Sequence, residues 1–173
     1  FQKNPWIDYL IHHEGEISFS GLLRSFVDDK DVMEVPGISM NVAGKMHSTG
    51  TSKRIDDLSG IPSPYTSGLF DDVLKKAKAQ GIKLNGIIET NRGCPFQCTF
   101  CDWGGTTFSK IKKFNLDRIT GEIEWFGRNQ VELITNADAN FGIFKERDTD
   151  ITDVLIDVKA KYGYPMIFDT NWS

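Results

Sequence analysis

The sequence predicts an α/β fold built on a parallel sheet, and three observations carry that prediction. From residue 84 onward, short apolar runs alternate with longer runs of helical period. The helical runs are long enough to carry the chain from one strand to a parallel neighbour. Cap and stop residues sit at their ends. Strands and helices in this alternation imply a parallel sheet with right-handed crossovers.

The elements follow in order. Residues 6–11 read as a strand, and Phe19, Leu22, Leu23 and Phe26 as the apolar stripe of a short helix. Residues 37–51 suit a small hairpin. The run Ile61-Pro62-Ser63-Pro64-Tyr65 is held extended by its prolines. Ser67 is expected to cap a helix holding Leu69, Phe70, Val73, Leu74 and Ala77 that stops at Gly81. Residues 84–90 form the first strand of the parallel sheet. A helix over 116–128 buries Leu116, Ile119, Ile123 and Phe126 behind an Asn115 cap. A strand over 131–136, a helix over 150–162 closed by Gly163 and a strand over 165–170 complete the series. Three such units do not close a barrel, and the last strand is expected at an open edge. In parallel α/β architectures the reacting groups lie where strands end. That places the loop after residue 90, Asp138 and Asn140, and Asn171 on one mouth.

The bulk composition narrows the function classes. With 173 residues, 39% hydrophobic and 25% charged, the chain is long enough for a sizeable core. A net charge of −4 provides no broad basic field for capturing nucleic acid. No apolar run approaches the ~20 residues needed to span a bilayer. Free thiols fit a reducing compartment, so the cytoplasm is the expected location.

All three cysteines fall in one run, Cys94-Pro95-Phe96-Gln97-Cys98-Thr99-Phe100-Cys101. An odd trio at this spacing is poor disulfide material, because close neighbours bridge with strain and one thiol is left over. It suits a small cage approached from one side. A cube of four irons held by three thiolates keeps one iron open to a small molecule. A structural zinc site is the alternative, and its fourth ligand would have to be His12, His13 or His47. A redox pair of Cys98 and Cys101 is another, leaving Cys94 idle. Phe100 suits either a ligand contact or ordinary core filling. Arg92 and Asp102 flank the loop, able to pair with each other or to steady whatever it holds. His12 and His13, adjacent on a strand, point to opposite faces and are expected in solvent.

The run from Asn91 to Gly104, with its C-x3-C-x2-C spacing and an aromatic before the third cysteine, resembles the signature loop of radical S-adenosylmethionine enzymes. The resemblance implies Cys94, Cys98 and Cys101 as ligands of a 4Fe–4S cluster, and Phe100 lying along the adenine of S-adenosylmethionine. It implies reductive cleavage of that molecule to a 5′-deoxyadenosyl radical, with electrons from a reductant such as flavodoxin or ferredoxin. Proteins of this superfamily generally have a partial barrel of six strand–helix units, so residues 84–173 correspond to the first half of a (β/α)6 TIM-like barrel. Where many members carry Gly-Gly-Glu, this chain has Asp138-Ala139-Asn140, similar to an Asp-rich variant. That likeness implies Asp138, and more weakly Asn140, as hydrogen-bond acceptors for the ammonium of S-adenosylmethionine. The other reading is a strand-end turn in which both side chains bond their own backbone.

Glu14-Gly15-Glu16, Leu22-Leu23, Leu58 and the Ile-Pro-Ser-Pro-Tyr run resemble the branch carrying an N-terminal cobalamin-binding domain. This implies that residues 1–30 are the tail of an α/β cobalamin-binding-like domain and 31–83 a linker, with cobalamin a candidate further cofactor. His13 stands where that branch has the first glycine of a Gly-Glu-Gly-Glu loop. The expectation is a piece of a longer radical enzyme whose catalytic residues and substrate determinants lie elsewhere. The rival is an iron–sulfur binding or electron-transfer module without radical chemistry of its own. A ferredoxin-like cluster would want a fourth cysteine, and the chain has three.

Overall fold

Residues 4, 6–96, 98–101 and 110–172 are described by the computed structural model. The chain divides into two units, residues 1–56 and 57–173. The boundary falls within the segment expected to be a linker.

In the first unit β1 (Tyr9–Ile11) pairs antiparallel with β2 (Ile38–Val42), which returns as β3 (Lys45–Ser48). Ala43 and Gly44, at φ 51° and 80°, make the two-residue turn whose twist matches the hairpin. The expected hairpin is therefore present, but the first strand is shorter than expected and Trp6 is exposed. Helix α1 (Gly15–Val27) places Leu22 against Val35, Ile38 and Met40. Its buried stripe is Ser18, Leu22 and Ser25, whereas Phe19, Leu23 and Phe26 are about half exposed. Buried serines are tolerated there because Ser18 Oγ donates to the Pro36 carbonyl and Ser25 Oγ to that of Leu22. His13 adopts φ 57°, so it takes the left-handed conformation that a glycine reaches at less cost. His12 is half-buried rather than in solvent, with Nε2 2.8 Å from Ser39 Oγ. Glu14, at the N-cap of α1, turns its carboxylate to Arg54 Nε at 3.0 Å and the Ile55 amide at 2.7 Å.

The second unit holds the parallel sheet. Helix α2 (Asp71–Ala79) precedes it and buries Leu74 and Ala77. Phe70, not Ser67, stands at its N-cap. Ser67 Oγ bonds the Pro64 carbonyl instead, and Leu69 lies outside the helix, exposed. Strands β4 (Asn85–Ile88), β7 (Leu133–Asn136) and β8 (Ile167–Asp169) run parallel in the order β4-β7-β8. A separate two-residue pair, β5 (Asn91–Arg92) with β6 (Lys112–Lys113), is antiparallel. Helix α3 (Leu116–Arg128) starts as expected: Asn115 Oδ1 accepts from the Asp117 amide at 2.9 Å. Helix α4 (Lys145–Tyr162) begins five residues before the apolar period announces it and ends at Gly163, φ 77°. Asp148 explains the early start. Its Oδ2 accepts from the Gly142 and Phe144 amides, satisfying donors at the helix N-terminus.

The core gathers Ile88, Ile134, Ile119, Ile123, Phe126, Ile151 and Val158, each 2% exposed or less. Gly86 is small because α3 lies directly over it: a Cβ there would overlap Phe126 Cε1, with Cδ1 and Cζ at 3.0 Å. Strand β8 occupies a sheet edge with Ile167 exposed, as expected for the third strand. At the opposite edge Tyr65 Oη donates to the Ile87 carbonyl at 2.5 Å and accepts from its amide at 3.0 Å. One hydroxyl thus occupies both free backbone groups of Ile87 on the β4 edge. Its ring is gripped by Phe70, Trp125 and Phe126, with centroids 4.5–5.4 Å away. Arg118 fixes the proline run from the other end, donating to the Ile61 carbonyl at 2.8 Å while pairing with Glu122 at 2.9 Å. Among the described residues, no helix is long and apolar enough to cross a membrane.

Candidate functional site

Strand β4 ends at Ile88, and the chain runs through Thr90 into β5, Gly93 and the cysteines. The β5–β6 pair sets Asn91 opposite Lys113 and Arg92 opposite Lys112, tying the loop at its neck. Gly93 leaves that neck at φ 114°, a conformation that side chains rarely adopt. Cys94 follows immediately and is 6% exposed. Its position is therefore fixed by a paired neck and a glycine turn. Further along the loop Cys98 is exposed and Cys101 half-buried, and the Cys101 amide donates to the Cys98 carbonyl at 3.1 Å.

The loop after β7 holds the neck from the side. Asp138 is 1% exposed, and both of its oxygens are engaged. Oδ1 accepts from the amides of Thr90 and Asn91 at 2.7 and 3.0 Å. Oδ2 accepts from Thr90 Oγ1 and from Asn91 Nδ2, the latter at 2.8 Å. Burial pushes the Asp138 carboxyl above its ordinary value, against the opposing pull of the Asn91 and Thr90 donors. Sequence reasoning offered an ammonium or the residue's own backbone as its partner. The structure engages both of its oxygens with the root of the cysteine loop.

Arg147 completes this polar knot from α4. Its Nη2 donates to the carbonyls of Thr90 and Phe114, both at 3.0 Å, so one guanidinium joins the two sides of the neck. Burial holds its pKa below the ordinary value, with Asp148 and Asp138 pulling the other way. Sequence alone assigns no role to Thr90, Arg147 or Asp148, and takes Asn91 only as the start of the cysteine run. Their signal was present only as polar residues beside elements, and nothing in the spacing says that they meet.

Asn140 comes to the cysteines directly, with Nδ2 3.1 Å from Cys94 Sγ. Phe141 beside it is buried, donates its amide to the Asn171 carbonyl at 2.7 Å and bridges to Trp172. The loops after β7 and β8 thus meet at the carboxyl ends of their strands. Phe100 is 91% exposed, which removes the core-filling reading and leaves its ring accessible. Arg92 pairs with Glu89 through Nε and Nη2 at 2.9 and 2.7 Å, whereas Asp102 lies outside the described residues.

The donor set fits an iron–sulfur group in kind: three free thiols on one loop, the first of them fixed and accepting an amide hydrogen bond. It is not a preformed cage. Among the described residues no three His, Cys, Asp or Glu side chains converge as metal ligands, for iron or for zinc.

No protein-family model matches the chain. Known proteins do. All of it aligns with the cobalamin-dependent radical SAM methyltransferase TokK of Streptomyces tokunonensis, 38% identical and covering 25% of that protein. It is 36% identical to a 2-(S-pantetheinyl)-carbapenam-3-carboxylate methyltransferase of Streptantibioticus cattleyicolor, again over the whole chain and 25% of the relative. The chain thus spans about a quarter of the length of these relatives. Among solved structures, the radical S-adenosylmethionine methyltransferase TsrM of Kitasatospora setae, with cobalamin and a 4Fe–4S cluster bound, shares the fold. Its TM-score is 0.62 at 13% identity, over 93% of this chain and 32% of that one. The cobalamin-dependent radical enzyme OxsB gives 0.63 at 17% identity, over 98% and 23%. Cysteine loop, parallel sheet and a sequence match over the whole of this chain agree: the chain is similar to radical S-adenosylmethionine enzymes of the cobalamin-associated branch.

Proposed function

We propose that this chain is part of a radical S-adenosylmethionine methyltransferase and carries its cluster loop. The observation that supports this most directly is the seating of three free thiols on a loop pinned at the carboxyl end of a parallel strand. Cys94, Cys98 and Cys101 are the ligands. Cys94 is the fixed one, and Cys98 and Cys101 close around the group when it binds, since metal binding and local folding are coupled. When bound, the 4Fe–4S cluster would supply the electron that cleaves S-adenosylmethionine to a 5′-deoxyadenosyl radical.

The protein's own residues hold and orient. Phe100 offers an exposed ring for the adenine. Asp138 and Arg147 keep the loop's root in place, and Asn140 faces the cluster side. Residues 84–173 are the first half of a six-unit partial barrel, its mouth at the carboxyl ends of β4, β7 and β8. Residues 1–30 are the tail of a cobalamin-binding-like domain, joined through 31–83. Methyl transfer is favoured among radical outcomes because both relatives above are named as methyltransferases. The electron donor is a flavodoxin or ferredoxin, and free thiols of this kind suit the cytoplasm.

The test uses the intact protein, reconstituted anaerobically and supplied with S-adenosylmethionine, methylcobalamin and a reductant. About four irons per chain are expected from the cube, together with 5′-deoxyadenosine and S-adenosylhomocysteine. Replacing any of the three cysteines by alanine should abolish both iron uptake and cleavage. A fully loaded protein that leaves S-adenosylmethionine intact would favour the electron-carrier reading.

A further inference from the structure

We infer that Asn140 sets the reduction potential of the bound cluster by donating its side-chain amide to the sulfur of Cys94. The inference rests on the proposed cluster and assigns Asn140 to a ligand sulfur rather than to the ammonium of S-adenosylmethionine. Asn140 Nδ2 lies 3.1 Å from Cys94 Sγ, within reach of an N–H···S hydrogen bond. Cys94 is 6% exposed, so little water competes for that sulfur and the low local dielectric strengthens the bond.

Both partners are fixed from outside. Before Asn140, the Ala137 amide donates to the Ile88 carbonyl at 2.8 Å, and Asp138 is locked to Thr90 and Asn91. After it, the Phe141 amide donates to the Asn171 carbonyl, and the Phe141 ring packs edge-on to Phe168 with centroids 5.6 Å apart. Cys94 follows Gly93 and the paired neck. The amide therefore meets the sulfur from two anchored positions, whatever the rest of the cysteine loop does.

A donated proton draws electron density from a thiolate. Reduction adds negative charge to the cluster, so the bond stabilises the reduced form more than the oxidised form and raises the potential. Removing the donor lowers the potential, and an acceptor of the same shape lowers it further. Of the three thiols only Cys94 is buried, so it is the one on which such a bond is least screened.

The test is a potentiometric titration of the reconstituted intact protein without S-adenosylmethionine, read by the paramagnetic signal of the reduced cluster. Wild type is compared with Asn140→Ser, which keeps a donor, Asn140→Ala, which has none, and Asn140→Asp, which matches the shape without the N–H. Iron content should be equal in all four. The potentials should fall in the order wild type, Ser, Ala, Asp. For Ala, the ratio of reduced to oxidised cluster at a fixed potential should drop about tenfold, or ~59 mV for one electron. Equal potentials in loaded proteins overturn the inference. If S-adenosylmethionine binding then weakens, Asn140 serves the ammonium instead. A wild type that takes up no cluster overturns the proposed function, and this inference with it. A potential that tracks lost iron rather than lost donor marks Asn140 as merely structural, which also overturns it.

Discussion

Asp138 and Thr90, 48 residues apart in sequence, share two hydrogen bonds: the Thr90 amide to Oδ1 at 2.7 Å, and the Thr90 hydroxyl to Oδ2. The carboxylate after β7 thereby grips the residue that leads from β4 into the cysteine loop. Because Asn91 adds two more donors to the same carboxylate, the grip covers the whole root of the loop.

Asp138→Ala should therefore act first on the loop. It leaves the buried Thr90 and Asn91 amides without their acceptor, at about 1–3 kcal/mol for each orphaned group. Denaturant unfolding should show a loss of that order, and iron uptake on reconstitution should fall. A variant with full iron but weaker S-adenosylmethionine binding would return Asp138 to direct contact with the ligand.

Tyr65→Phe isolates the edge cap. The ring keeps its packing against Trp125 and Phe126, while the hydroxyl that both donates to and accepts from Ile87 is lost. Water can reach this edge, so the expected loss is about 1 kcal/mol. Amide hydrogen exchange should locate it: protection at Ile87 falls, while that at Ile134 on the central strand is unchanged.

Phe100→Ala separates ligand contact from folding. At 91% exposure the ring contributes little to the core, so unfolding should be unaltered. If it lies along adenine, stacking of about 1–3 kcal/mol is lost and S-adenosylmethionine binds roughly 5- to 150-fold more weakly. Equilibrium binding to the loaded protein measures this, with cluster absorbance as the control.

Glu124 gives a pH prediction. A hydrogen bond from Tyr162 Oη at 3.0 Å, with help from Lys161, holds its carboxyl below the ordinary 4.5. A carboxylate depressed in the folded state contributes stability that is present above its unfolded pKa and lost as pH falls through the folded one. Tm of wild type should exceed that of Glu124→Gln at pH 7, and the gap should close as pH falls below about 4.5. A gap independent of pH would show that the ionised form contributes nothing.

The sequence by itself determined the parts whose signal is local. Alternation of apolar runs with helical periods yields the parallel α/β class, because strand and helix bury their faces at different spacings. Asn115 and Gly163 mark real helix ends, since a cap acts on its own neighbouring backbone. Three cysteines in eight residues suit a cluster, because chelation by neighbours is also local. The tertiary structure decided what each side chain meets. Residues 112–113 return to pair with 91–92, and Tyr65 reaches the edge of β4, through contacts that no periodicity records. In sequence Asp138 suits an ammonium or its own turn backbone, and in space its carboxylate meets four donors on Thr90 and Asn91. The physical reason is the same throughout. A buried polar group must be satisfied by whatever the fold brings beside it, and that partner is set by strand order and loop length rather than by position along the chain.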